Sequence, residues 1–202
     1  MPLISSVMQG LIVAKAASSM MAGSKMTSFV GAISKASCQY ILLSAVVNST
    51  NFATGPGSGT QIGRVVGLIP TAMSTLIQMR AAIYGIVGKD SGKLFQAVSF
   101  GVCTAMNSVV MNGIIIGAGP GTGIGKISGL VPTALSNFIY AQEIFRGIVG
   151  KNMRQTVSAI AFGVCTHIMT AGTVTITNIG VFAPPPVGPI PIPAAPGIGR
   201  LY

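Results

Sequence analysis

The chain has 202 residues, of which twelve are Lys or Arg and two are acidic, so its formal net charge is +10; half the residues are apolar and mean hydropathy is +0.73. Only 7% of the residues are charged, against roughly 25% in an ordinary soluble domain, which predicts a chain that hides most of its surface in an assembly or a bilayer. Two acids on separate segments (Asp90, Glu143), one His (His167) and three scattered Cys exclude a paired-carboxylate site within one chain and a zinc cluster, and the apolar content excludes disorder.

Internal repetition organises everything that follows. Shifting the sequence by 62 residues lays Gly57–Thr104 over Gly119–Thr166 without a gap, with 23 identities in 48 positions. A more diverged copy lies at the N-terminus, shifted by 65: Gly23, Gly88 and Gly150 each precede a Cys (Cys38, Cys103, Cys165) by 15 residues. The reading is three units, residues 1–58, 59–120 and 121–183, followed by a Pro-rich arm, 184–202.

In chain order, unit one places Leu3-Ile4 and Lys15 where unit two has Leu68-Ile69 and Arg80. In unit two the pattern predicts a first helix over roughly 65–86, with Pro70 near its start, where a missing N–H costs nothing. Gly88 is the expected stop, with Lys89 beside the negative end of the helix dipole. A second helix is predicted over roughly 92–111, where apolar residues recur at three and four among small ones. Unit three repeats this with Pro132, Gly150, Lys151 and a helix over 153–169. The junctions 51–63 and 113–125, which carry Gly63 and Gly125, are rich in Gly, Ser and Thr and suit close chain approach, as an extended ribbon within or between chains. Thr173–Phe182 alternates β-branched residues with others and reads as a strand. The segment Pro184–Pro196, opening with Pro184, Pro185 and Pro186, has seven prolines in thirteen positions and suits an extended arm that bridges to a neighbour. Beyond it, Gly197–Arg200 echoes Gln61–Arg64 and Gly123–Lys126, as though another unit were about to begin.

No chemistry-bearing motif survives inspection. The phrase Gly117–Lys126 is a failed phosphate loop, with Pro120 where the first Gly must be and Ile127 where the hydroxyl must be. Cys103 and Cys165 recur at one helix position and read as buried small apolar residues. His167, alone on an apolar helix, reads as structural. The expectation is no catalytic residue, no cofactor and no metal. The basic residues recur in layers: Lys15, Arg80 and Arg146 on first helices, Lys25, Lys89 and Lys151 at turns, Arg64, Lys126 and Arg200 at junctions. Such bands suit an acidic neighbour or anionic lipid; no recognised nucleic-acid motif is present. The uncharged runs 94–125 and 155–199 are long enough for a membrane. Pro and Gly break them, however, and the first helices carry Arg80 or the pair Glu143 and Arg146, costly in hydrocarbon.

The phrases GTQIGRVVGLIP (Gly59–Pro70) and GTGIGKISGLVP (Gly121–Pro132), each followed by a helix ending in Gly-Ile-Val-Gly, resemble repeats in small Gly-rich structural proteins of contractile-tailed bacteriophage virions. The resemblance covers units two and three. It implies a structural component of the particle, in the tail or baseplate, without catalytic activity. The expected fold is mainly α, with three tandem αα-hairpins joined by Gly-rich extended or β segments. Repeats of this kind need neighbours to complete their core, which predicts a symmetric homo-oligomer contacting itself and other virion proteins. The competing expectation is a membrane-inserting or pore-forming protein at the host membrane, whose uncharged helical hairpins enter the bilayer. The architectural residues are Pro70 and Pro132 (helix starts), Gly88 and Gly150 (turns), Gly63 and Gly125 (junctions), Cys103 and Cys165 (core), and Pro184, Pro185 and Pro186 (arm).

Overall fold

The structure, a computed structural model, describes residues 3–21, 23–55, 58–86, 88–116, 122–148, 150–178 and 195–202, with the backbone alone at 51–55, 58–59, 115–116, 122, 178 and 195–196. Three times over, two helices are followed by a β-hairpin. Outer helices α1 (Ser5–Ser18), α3 (Pro70–Ile83) and α5 (Pro132–Phe145) alternate with inner helices α2 (Met26–Ser44), α4 (Ser91–Ser108) and α6 (Met153–Ala171). The hairpins are β1–β2 (Val46–Gly55, Ser58–Val66), β3–β4 (Val110–Ile116, Thr122–Ser128) and β5–β6 (Thr173–Asn178, Ala195–Leu201).

The outer helices start at Pro in units two and three; in unit two that is five residues later than the expected start near 65, because Val65 and Val66 belong to β2. Their ends lie earlier than Gly88 and Gly150. Ile86 N–H donates to Ala81 O at 2.8 Å and Gly85 N–H to Ala82 O at 3.0 Å, with Gly85 left-handed; Ile148, Gly147 and Glu143 repeat the pattern. This is the Schellman arrangement, which needs a left-handed residue just past the helix. Unit one builds the same turn with Met20 at φ 55°. Gly88 and Gly150 instead lie three residues before the inner helices, where their carbonyls accept from Ser91 N–H and Met153 N–H at 3.1 and 3.2 Å.

Each outer helix packs between two inner ones, and α1 packs on α6, so the six helices form a closed ring. The crossings depend on small residues. A Cβ at Gly101 would lie 3.2 Å from the backbone nitrogen of Ile139, and one at Gly163 2.9 Å from that of Ile12. On the inner helices the equivalent sets Val30, Phe95 and Val157, then Ile33, Val98 and Ile160, then Ile41, Met106 and Ile168 are all buried in one core. Cys38 and Cys103 are buried with Sγ 3.9 and 4.0 Å from Met8 and Met73 Sδ, and Cys165 is likewise buried and free, as expected of core fillers.

The expected mainly-α fold of tandem hairpins is overturned by the strands. All six pair antiparallel in the order β1-β2-β3-β4-β5-β6, and β6 pairs back onto β1, which closes a barrel. The junctions, expected as extended segments or a ribbon within or between chains, are instead the strands of a closed barrel and half of the architecture. The repeat therefore reads as helix, helix, hairpin, with natural cuts at the left-handed Gly67 and Gly129 rather than inside the hairpins. The expected strand at 173–182 is found over Thr173–Asn178, and residues 179–182 lie outside the described residues. The Pro-rich arm is corrected at its end: Ala195–Leu201 is the third return strand, held between β5 and β1 of the same chain. Pro184, Pro185 and Pro186 lie outside the described residues. Because ring and barrel both close within one chain, the core is completed without a neighbour, and the argument from an unfinished core no longer requires one.

Candidate functional site

The barrel repeats one construction three times, and its geometry follows from strand alternation. Successive side chains point to opposite faces. On the return strands the sequences Gln61-Ile-Gly-Arg-Val65, Gly123-Ile-Gly-Lys-Ile127 and Gly197-Ile-Gly-Arg-Leu201 put the first, third and fifth residues inside and the second and fourth outside. Nearest the helix ring, the inward layer is Val47, Val65, Met111, Ile127, Val174 and Leu201, all buried. The next layer holds Ser49, Gly63, Gly113, Gly125, Ile176 and Gly199. Glycine is a steric requirement there. A Cβ at Gly63 would sit 2.8 Å from Val47 Cγ1 and 2.9 Å from Met111 Cε, and a Cβ at Gly125 or Gly199 would collide with Met111 Sδ or Ile176 Cγ1. Gly63 and Gly125 thus permit close approach, as the sequence suggests, but inside a barrel rather than in a turn. The barrel is a packed core.

The outer face is built in the opposite sense to a soluble barrel. Arg64, Lys126 and Arg200 point outward and are exposed, each opposite Asn48, Asn112 or Thr175 at the same level of its hairpin. They form a collar of three cations around the barrel. Two residues further from the helices, Ile62, Ile124 and Ile198 are exposed by 51–58%, joined by Ile114. From the collar outward the described hairpin residues 46–55, 58–63, 110–116, 122–125, 173–178 and 195–199 include no charged one, and the other nine cations and both acids lie on the helical half.

Three buried polar groups break the threefold repeat. Gln61 occupies the inward place that Gly123 and Gly197 hold in the other hairpins, and a Cβ at Gly113 or Gly123 would strike its amide. Its amide nitrogen and oxygen find no hydrogen-bond partner among the described residues. Glu143 takes the place of Ala16 and Ala81 in the buried stripes Met8-Ile12-Ala16, Met73-Ile77-Ala81 and Leu135-Ile139-Glu143. Its carboxylate is buried without a hydrogen-bond partner among the described residues, and burial pushes the carboxyl up to about 7. Arg146 does not pair with it: its guanidinium donates to Gln96 and Gln142 Oε1, both at 3.3 Å, and the ion pair found among the described residues is Lys93 with Asp90, 3.0 Å apart on the surface. His167 Nε2 accepts from Ile4 N–H at 2.9 Å, just as the Tyr40 hydroxyl accepts from Ile69 N–H at 2.8 Å in unit one. Both satisfy the entry of the next outer helix, which otherwise leaves N–H groups free. Accepting at Nε2 keeps the ring neutral, and burial lowers its pKa. The three thiols are pushed up to about 12, 12 and 11 by burial, which suits inert fillers.

Among the described residues no three His, Cys, Asp or Glu side chains converge on a metal-sized space. At the end of the ring away from the barrel, an open depression of about 490 Å³ is lined by Lys25, Met26, Phe29, Ile86 and Thr156, with Lys25 Nζ donating to Gly85 O at 3.1 Å. No helix among the described residues is long and apolar enough to cross a membrane. Compared with protein-family models, with curated proteins and with solved structures, the chain finds no match in any of the three. The collar is the surface that the charge count partly reveals; its coplanarity and the isoleucines beyond it need the strand register.

Proposed function

We propose that the protein is a non-catalytic structural subunit of a phage virion, placed in the tail or baseplate, with other virion proteins and further copies of itself as neighbours. The observation that carries this reading is the closed pseudo-threefold body: one chain presents three near-equivalent faces about a single axis, as a component on a threefold or sixfold axis would. The resemblance of Gly59–Pro70 and Gly121–Pro132 to virion repeats supports it, as does the separation of Gln61, Glu143 and His167 onto different elements, which assembles no acid–base pair. Exposed apolar side chains on the outer helices, Met79, Ile83, Ile144 and Phe145 among them, supply contact surface, and a net charge of +10 favours acidic neighbours.

The test is assembly. Sedimentation of the purified chain from micromolar to hundreds of micromolar should show a discrete symmetric oligomer, and Ile83→Ser with Phe145→Ser should dissolve it at unchanged helix content. A chain that stays monomeric throughout sinks the homo-oligomer.

A further inference from the structure

We propose that the uncharged end of the barrel docks on an anionic lipid bilayer, with Arg64, Lys126 and Arg200 at the phosphate level and Ile62, Ile114, Ile124 and Ile198 in the acyl boundary. The proposal goes beyond the structural role above and can fail without it.

The collar and the uncharged zone have matching dimensions. Six residues separate Arg64 from Ser58 at the start of β2. At 3.2–3.4 Å per residue and a barrel tilt of 35–45°, that is roughly 15 Å along the barrel axis. Interfacial elements bury to a depth of about 5–10 Å, so the zone can enter the boundary while the collar remains among the headgroups. Among the described residues the zone is uncharged around its circumference, because β1–β6 lack charge beyond the collar. The barrel has no free strand edge that would have to be unpaired in lipid.

Charge complementarity selects the occupant. Three cations at one level around a barrel address a plane perpendicular to its axis. A lipid surface engages all three at once, whereas a protein partner would have to be a ring. The helical half offers no comparable zone, since its exposed apolar residues share it with the other nine cations and both acids. The competing expectation of helical hairpins entering the bilayer is thereby moved to a different part of the chain: the uncharged runs enter through hairpins of strands.

The experiment is flotation of the full-length chain with vesicles of phosphatidylcholine, with or without about one-third phosphatidylglycerol. The chain is expected to float with the anionic vesicles and to be released by salt. Removing the collar (Arg64→Ser, Lys126→Ser, Arg200→Ser) should weaken partitioning roughly a hundredfold, three surface cations contributing about tenfold or less each. Removing three cations from the helical half (Lys89→Ser, Lys93→Ser, Lys151→Ser) should change it less than tenfold. The chain has no Trp, so Ile124→Trp gives a reporter whose emission should shift to the blue on anionic vesicles, while Met79→Trp on α3 should not. All these positions are exposed, so helix content checks folding. No flotation of the wild-type chain overturns the proposal. So does equal loss in the two triple-cation variants, which would make net charge the cause. A dimer that forms without lipid and is dissolved by Ile62→Ser, Ile124→Ser and Ile198→Ser overturns it in favour of a second copy.

Discussion

The helix ring and the barrel close by the same device and are filled in opposite ways. In both, small residues at repeated positions let backbones approach: Gly101 and Gly163 at helix crossings, Gly63, Gly125 and Gly199 inside the barrel. The ring fills its core with large apolar side chains and, Glu143 apart, places its charged residues outside. In the barrel the first inward layer carries six apolar side chains, but the second is mostly glycine because Val47, Met111 and Ile176 already fill its space, and Ile62, Ile114, Ile124 and Ile198 go outside. The difference teaches that threefold repetition fixes where atoms must be absent more strictly than which ones must be present. The units tolerate Glu for Ala, or Gln for Gly, but every described return strand keeps the second inward Gly.

The sharpest test of the ring is its least repetitive member. Glu143 has its carboxyl raised from an ordinary 4.5 to about 7 by burial. Below pH 4.5 it is protonated folded or unfolded. As pH rises to about 7 the unfolded chain ionises first, so stability falls, by roughly 3 kcal/mol in total. Glu143→Ala, which restores the residue of the other two units, should abolish that fall in urea unfolding followed from pH 4 to 8. His167 titrates in both proteins and cancels in the difference; its own lowered pKa acts the other way, with stability lost as pH falls below about 6.5. A slope unchanged by Glu143→Ala would show that the carboxyl reaches water.

A smaller effect separates tight glycines from free ones. Gly125→Ala in β4 drives a Cβ into Met111 and should cost about 1–3 kcal/mol. Gly10→Ala in α1 meets nothing within 4 Å and should gain up to about 1 kcal/mol from helix propensity. Equal effects of one sign would break the distinction. Smallest is Met20→Gly. Met20 holds the left-handed place of Gly85 and Gly147, and the exchange should stabilise by about 0.5–1 kcal/mol as a rise in the denaturation midpoint.

Much of this was legible. The repeat, the prolines near the starts of α3 and α5, the bounds of α4 and α6 to within three residues, and the buried Cys103 and Cys165 follow from spacing. The barrel did not, for a reason that lies in its own sequence. In Gln61–Val65 and Gly123–Ile127 the apolar Ile points out and Gly or Gln points in, so the alternation that marks a strand runs against its usual sense. The echo at Gly197–Arg200 was visible, but prolines before it suggested an arm leaving the chain, and only pairing with β1 and β5 makes it the strand that closes the barrel. Gln61 carried no signal beyond its departure from the repeat.

By itself, the sequence determined three copies of one unit, a surplus of cations recurring at the turns and junctions, and the absence of any acid from the positions that the copies share. Repetition is a property of residue identity and needs no coordinates. The tertiary structure decided that the copies close on themselves, that Arg64, Lys126 and Arg200 share one level, and that the uncharged strand residues beyond them gather at one end. Closure depends on how far three hairpins and six helices must turn to meet, and that angle is set by the contacts of glycines with residues far away in the chain.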